Sequence, residues 1–239
     1  MKILGINALN HDAGICLIDS DHGKILFAAH SERYSGIKND SNLNKEMFED
    51  MENYITKTGR GGIDKVVYFE NPYTKKLRQF MAGQYGEVFS RKNMPQYHID
   101  SVLGKGRYTI DEYVDHHLSH ASSTYFTSPY TESAVVCIDA IGEFDTISIW
   151  YAHGSKLEKR WSQTYPNSLG LWYSAMTQRL GLKPQEDEYI LMGMAAWGKE
   201  NKELQREIRD TFFKDGDDIR FKKNLHRGCL DWDSVVLPD

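Results

Sequence analysis

The chain has 239 residues, of which 40% are hydrophobic, and its 29 basic and 34 acidic side chains leave a net charge of −5. This composition is typical of a globular protein and excludes a disordered or fibrous chain. The acidic balance disfavours nucleic acid as a partner, because nucleic-acid binding needs a basic face.

The first part of the chain predicts an antiparallel meander. Short apolar runs at residues 2–8, 14–19 and 24–30 are separated by tight turn clusters, which is typical of neighbouring antiparallel strands. A helical spacing of apolar residues follows at 43–58, and a strand is expected at 65–69.

The middle of the chain is less regular. Residues 73–90 resemble a helix, whereas residues 92–113 show little periodicity and are assigned no element. A helix is expected at 116–127, and the strongest buried strand of the sequence is expected at 133–139.

The last part predicts a second meander and then helices. Strands at 145–152 and 156–163 should pair across a short turn, and helices are expected at 168–181 and 201–213. Residues 186–195 are acidic and then apolar. They are expected to form a loop followed by a buried helix, with Gly193 at a close packing point. Two meanders separated by helices indicate an α/β fold with mixed sheets.

No apolar run approaches the ~18 residues that a transmembrane helix needs, and the first residues do not resemble a signal peptide. The three cysteines, Cys16, Cys137 and Cys229, lie far apart in the sequence. Cys16 and Cys137 are expected to be buried thiols, and together these features predict a reducing, cytoplasmic setting.

Three of the nine histidines fall within five positions, in the sequence His116-His-Leu-Ser-His120. On a helix His116 and His120 share one face, because they are four residues apart, and they can hold one metal ion. The alternative is a helix start that carries surface histidines.

Asp139 ends an apolar strand, where a carboxylate either caps a turn or binds a metal. With His116 and His120 it would form a set of two histidines and one carboxylate, which suits Fe(II) or a similar divalent ion. Gly142 and Glu143 follow in a tight turn whose backbone N–H groups can meet a phosphate.

Three further segments carry candidate residues. His11, in the first loop, can act as a general base or bind an anion, or it is an ordinary polar loop residue. Lys38 belongs to a cationic stretch that can hold phosphate or carboxylate, or that is a solvated edge. Ser168 and Gly170 begin a helix whose N-terminus can receive an anion, or which is a capped core helix.

Taken together, six ordered stretches resemble the N-terminal part of the O-carbamoyltransferases that act on nodulation factors, cephamycins and aminoglycosides. The stretches are ILGINA and HDA within 3–13, ERYS at 32–35 with Lys38, HHLSHASS at 116–123, IDAIGE at 138–143, SLGLWYS at 168–174 and MGMAAWG at 192–198. Two positions depart from the family pattern: Ile190 and Gly36 stand where many members have Lys and Arg.

The resemblance implies a fold of the actin–hexokinase–chaperone ATPase type, with mixed sheets, flanking helices and an incomplete second lobe. Residues 1–165 would form the first lobe with the metal site, and residues 166–239 would begin the second. The YrdC-like domain, which in the family makes carbamoyl-adenylate from carbamoyl phosphate and ATP, is expected to be absent from this sequence. The N-terminal part then moves the carbamoyl group to a hydroxyl of a small-molecule or sugar acceptor.

The resemblance also implies roles for individual residues. His116, His120 and Asp139 correspond to the residues that hold a metal in contact with nucleotide phosphates. His11 corresponds to the histidine near the transfer step, and Lys38 corresponds to the lysine of the family's Glu-Arg motif. The implied cofactors are a divalent metal, with Fe(II) favoured, and ATP or carbamoyl-adenylate.

Two alternatives stay open. The chain can be a non-catalytic subunit that binds nucleotide and metal and needs a partner chain, or a relative of the tRNA threonylcarbamoyl-transferring protein. The net negative charge of the chain and the sequence of the motif at His116–His120 weigh against the tRNA-modifying relative. Alone, the chain is expected to be inactive on carbamoyl phosphate and ATP. We expect a YrdC-like partner domain or chain, or a homodimer, with Trp197, Phe212 and Phe213 needing a partner surface.

Overall fold

A five-stranded mixed sheet organises the first part of the protein in a computed structural model that describes residues 1–59, 61–216, 219–222 and 224–225. Its strand order is β3-β2-β1-β4-β5. The strands are β1 (Lys2–Asn7), β2 (Gly14–Asp19), β3 (Lys24–His30), β4 (Lys65–Tyr68) and β5 (Glu112–Tyr113). Strands β1, β2 and β3 form the predicted antiparallel meander, whereas β1, β4 and β5 run parallel.

Among the described residues, five α-helices accompany this sheet: α1 (Glu32–Ser35), α2 (Lys45–Thr58), α3 (Pro72–Met81), α4 (Tyr85–Phe89) and α5 (Pro95–Leu103), with a short 3-10 helix, Arg91–Asn93, between α4 and α5. Helix α2 confirms the helix predicted at 43–58. The single helix-like segment predicted at 73–90 is wrong in detail, because a turn containing Gly83, with φ of 76°, separates α3 from α4. Helix α5 lies within residues 92–113, where the sequence shows little periodicity.

The second part is built on a three-stranded antiparallel sheet of order β6-β7-β8. Its strands are β6 (Glu132–Gly142), β7 (Asp145–His153) and β8 (Lys156–Thr164), and its helices are α6 (His116–Phe126), α7 (Leu169–Arg179), α8 (Glu188–Ala195) and α9 (Lys202–Phe212). The predicted second meander is therefore confirmed, and the protein has a mixed α/β fold. Strand β6 continues three residues beyond the predicted end at Asp139.

The chain divides into two compact units, Met1–Ser119 and His120–Asp239, and the division falls inside helix α6. The core of the first unit includes Leu4, Leu17, Phe48 and Tyr68. The core of the second includes Leu171, Ala175 and Phe212. The lobe boundary expected after residue 165 stays a prediction.

Several burial predictions are wrong. Helix α8 contains no buried residue, and a Cβ on Gly193 would meet no atom within 4 Å. Phe212 is buried in the second core and Phe213 packs against that core, so the expectation that these two need a partner surface is wrong. Trp197 is 91% exposed, as expected for a residue that needs a partner surface, and that partner stays a prediction. The apolar run around Gly193 therefore forms a helix, but apolar content alone did not specify its burial.

Of the cysteines, Cys137 is buried as predicted, but Cys16 is only half-buried. Cys229 lies outside the described residues. No helix in the described part of the chain combines the length and the apolar character needed to cross a membrane.

Candidate metal centre

Helix α6 presents the two predicted histidine ligands at its beginning. The carboxylate of Asp115 accepts a hydrogen bond from the Leu118 backbone N–H at 2.8 Å, which caps the first turn. The Ser119 hydroxyl donates to the Phe69 carbonyl at 2.9 Å and fixes the helix start to the end of β4. His116 is buried and His120, one turn later, is exposed.

Helix α6 and strand β6 bring His116, His120 and Asp139 together. One ligand atom from each side chain lies within 4.8 Å of the other two. Metal bonds of about 2.0–2.2 Å place adjacent ligand atoms of one ion about 3 Å apart, so the three side chains would have to move closer together to hold one ion. Two imidazoles and one carboxylate with open positions suit Fe(II) or another divalent ion. The donor set therefore fits the metal that the sequence predicts.

Asp139 occupies a bulge rather than the end of its strand. Pairing of β6 with β7 is regular as far as Ile138 and resumes only at Gly142. The Asp139 carboxylate accepts a hydrogen bond from the Ala140 backbone N–H at 2.6 Å, which orients it. Bulges re-aim side chains and are common beside functional sites.

The start of helix α7 supports this bulge. The Ser168 hydroxyl donates to the carbonyls of Ala140 at 2.7 Å and Asp139 at 3.2 Å, and it accepts from the Leu171 N–H at 3.0 Å. Ser168 is only 1% exposed. The structure thus shows the capped-helix alternative for Ser168, and nucleotide contact at this residue stays a prediction.

Gly170 allows helix α7 to approach the strand closely. A Cβ at this position would lie 2.6 Å from the Ala140 nitrogen and 2.8 Å from the Asp139 carbonyl carbon. Both atoms belong to backbone, which cannot move aside cheaply. Gly170 therefore keeps the backbone of Asp139 in place, and its predicted contact with nucleotide stays a prediction.

We expect Gly170→Ala to lower the free energy of unfolding by about 1–3 kcal/mol, because the new methyl group overpacks this contact. The measurement is chemical denaturation followed by circular dichroism. Gly193→Ala is the matched control: its Cβ meets nothing within 4 Å in a helix, so it should be neutral or stabilise by about 0.5–1 kcal/mol. Equal stability of the two variants would contradict the packing role of Gly170.

The predicted phosphate-binding turn is a tight hairpin. Gly142 pairs with Asp145, and only Glu143 and Phe144 connect β6 to β7. Glu143 has a positive φ of 61° and is 5% exposed. The turn predicted by the sequence is present, and its contact with phosphate stays a prediction.

A buried carboxylate lies on the other side of His116. Glu70, just after β4, is 3% exposed, and its Oε2 is 3.6 Å from Nδ1 of His116. Burial tends to raise the pKa of Glu70, but His116 and Lys75 outweigh burial and hold that pKa below its usual value. Glu70 is therefore ionised beside the histidine. In the sequence, the only sign of a functional role for Glu70 is its position just after a predicted strand.

His11 and Lys38 lie in segments that are hydrogen-bonded to each other. The Ala13 N–H donates to the Asp40 carbonyl at 2.7 Å, and the Leu9 N–H donates to the Ser41 carbonyl at 2.8 Å. The His11 side chain is 76% exposed, with Nδ1 2.9 Å from Asp12. An exposed imidazole held by a carboxylate can accept a proton from a substrate hydroxyl.

The sequence does not predict a second group of potential ligands, which comes from the first loop, the end of β3 and the start of α1. Ligand atoms of Asp12, His30 and Glu32 lie within 4.8 Å of one another, and all three residues are partly exposed. The register of β2 and β3, which pairs Gly14 with His30, brings them together. Only knowledge of that register could have revealed the group.

Comparison with known families gives one match that spans nearly all of the chain. Residues 2–233 match the family described as Carbamoyltransferase N-terminus.

Relatives and solved structures give further similarities. The chain is 32% identical over 221 residues to the uncharacterized protein sll1178 of Synechocystis sp., covering 82% of this chain and 35% of that protein. It is 27% identical over 223 residues to nodulation protein NolNO of Sinorhizobium fredii, covering 87% of this chain and 30% of that protein. The chain thus spans about a third of the length of these relatives. A Ppx/GppA phosphatase structure from Aquifex aeolicus matches with a TM-score of 0.34 and 13% identity, covering 79% of this chain and 59% of that one.

Proposed function

Because the chain belongs to the carbamoyltransferase N-terminus family, we propose that it transfers a carbamoyl group from carbamoyl-adenylate to a hydroxyl of a small-molecule or sugar acceptor. The observation that carries this proposal is the juxtaposition of His116, His120 and Asp139. A site of this chemistry suits a reaction whose leaving group is a phosphate anion.

The three residues would hold a divalent ion, with Fe(II) proposed, through two imidazoles and one carboxylate. When bound, such an ion supplies positive charge to the phosphate of the departing AMP. The Gly142–Glu143 turn directly follows the ligand-bearing bulge, and its backbone N–H groups would add hydrogen bonds to the same phosphate. Ser168 and Gly170 support this phosphate site from α7 by holding the bulge.

His11 would act as the general base. In the transfer step the acceptor oxygen bonds to the carbamoyl carbon, and the bond from that carbon to the phosphate oxygen breaks. AMP leaves with the bonding electron pair, and the hydroxyl proton passes to the His11 imidazole. Lys38, on the neighbouring segment, would bind an anionic group of the donor or acceptor.

The donor has to be made before this step. A YrdC-like domain or partner chain would form carbamoyl-adenylate from carbamoyl phosphate and ATP, as expected for the family, in the cytoplasm. The fold proposed for the complete protein is that of the actin–hexokinase–chaperone ATPase type.

The proposal is tested by giving carbamoyl-adenylate to the purified chain loaded with Fe(II) and following AMP release with a panel of hydroxyl compounds. We expect release that is faster than the spontaneous reaction, stimulated by an acceptor and abolished by a chelator. Tight binding of nucleotide and metal without any turnover would contradict transfer and favour a non-catalytic subunit.

A further inference from the structure

Glu70 is a buried carboxylate that the transfer step does not use. Its Oε1 accepts a hydrogen bond from Nζ of Lys75 at 2.6 Å, and its Oε2 is 3.6 Å from Nδ1 of His116. The side chains of Glu70 and Lys75 are 4% and 18% exposed. Burial of a charged pair costs desolvation energy and does not by itself stabilise a fold, so its position beside His116 points to a role there.

Lys75 is held in place from two directions. Helix α3, which carries it, is capped by the Asn71 side chain, which accepts from the backbone N–H of Tyr73 at 3.0 Å. Nζ of Lys75 also donates to Oδ1 of Asn10 at 3.1 Å, in the loop that continues to His11. The ion pair is thus anchored to a helix and to the first loop, so the Glu70 carboxylate has a fixed direction.

We propose that Glu70, held by Lys75, is a positioning residue for the metal centre: it accepts a hydrogen bond from Nδ1–H of His116 and leaves Nε2 to bind the ion. The inference rests on the proposed metal centre. A histidine that binds a metal usually donates its other ring N–H to a carboxylate or carbonyl, which fixes the tautomer and the ring direction. A ring movement of about 0.5 Å shortens the observed distance to that of a hydrogen bond.

The His116 ring is also restrained by burial and by an aromatic neighbour. The Phe69 ring packs against the His116 imidazole with centroids 5.2 Å apart, and His116 is 7% exposed. Because the imidazole cannot turn freely in this packing, the Glu70 carboxylate selects which nitrogen carries the proton. His120, by contrast, is exposed.

The first test uses the metal-free wild-type chain. Nitrogen-15 NMR of labelled histidine, with the His116 signals assigned by their loss in His116→Gln, reports the tautomer directly. We expect the Nδ1–H tautomer at neutral pH. A neutral Nε2–H tautomer would overturn the role of Glu70, whatever the protein binds, so this result is independent of the proposed function.

The second test measures Co(II) affinity by optical titration. Glu70→Gln should weaken binding by about 10–100-fold, the usual effect of losing a carboxylate behind a metal-binding histidine. Glu70→Gln combined with Lys75→Met should do the same without leaving a buried lysine unpaired. The matched control is Glu52→Gln, which removes a carboxylate paired with Arg107 and should keep wild-type affinity.

Wild-type Co(II) affinity in both folded Glu70 variants would overturn the inference while leaving the metal centre intact. Absence of Co(II) binding in the wild-type chain would instead contradict the proposed function, and the tautomer measurement would still decide the role of Glu70. An equal loss of affinity in Glu52→Gln would show a general effect on the fold and would also overturn the inference.

Discussion

Replacing His116 and His120 together by alanine is expected to weaken Co(II) or Fe(II) binding by more than about 100-fold, beyond the loss seen for residues that only support a ligand. The reason is that two of the three donor atoms, which lie within 4.8 Å of one another, are removed. The measurement is optical titration with Co(II), whose absorption in the visible range reports the donor set.

Because His116 is buried against Phe69, the double variant can lose stability as well. His120→Ala alone avoids this, since His120 is exposed, and it should still lose most of the affinity. The control replaces His22 and His153, two exposed histidines, by alanine. Retention of wild-type affinity in His120→Ala would contradict the metal centre.

Replacing His11 by alanine is expected to slow carbamoyl transfer by about 10²–10⁴-fold, the usual contribution of a general base. Metal affinity and thermal stability should be unchanged, because the His11 side chain is 76% exposed. The rate of AMP release from carbamoyl-adenylate in the presence of an acceptor measures the effect.

His22→Ala is a close control for this variant. His22 is 69% exposed and its Nδ1 lies 2.8 Å from Asp19, so it matches the exposed His11–Asp12 pair in chemistry and geometry. Its replacement should leave the rate unchanged. A similar rate for the wild-type and His11→Ala proteins would remove His11 from the transfer step and leave the metal centre untouched.

The histidine pair could be predicted from the sequence because its geometry is local. Residues four apart on any helix share a face, so His116 and His120 needed only helix α6 to form. The position of Asp139 was predicted as a strand end, but β6 continues to Gly142 and its pairing with β7 is interrupted between Ile138 and Gly142. The sequence alone was enough to identify Asp139 as a candidate ligand. The direction of its carboxylate depends on the register between β6 and β7, which the sequence does not show.

Glu70 shows what the sequence could not provide. Its approach to His116 depends on where β4 ends and where α6 begins, two elements that are far apart along the chain. The group of Asp12, His30 and Glu32 depends in the same way on the register of β2 and β3. Long-range pairing of this kind leaves no local pattern, so only the fold reveals it.

Helix α8 is a case in which the sequence predicts more burial than the structure shows. Its apolar residues predicted a buried helix, yet Met192 is 67% exposed and Met194 is 51% exposed. An apolar segment specifies a preference for burial, but packing partners decide whether burial occurs. Helix α5 was missed because its buried face consists mainly of Ile99 and Leu103, too few positions to establish a period.

The most direct test of the metal centre is anomalous X-ray diffraction at the iron edge from crystals grown with Fe(II) under anaerobic conditions. We expect one strong peak at about 2.0–2.2 Å from a donor atom of each of His116, His120 and Asp139, with Nε2 as the His116 donor. A peak only at Asp12, His30 and Glu32 would contradict the proposed metal centre. The absence of any peak, in crystals of a folded protein that binds iron in solution, would contradict it as well.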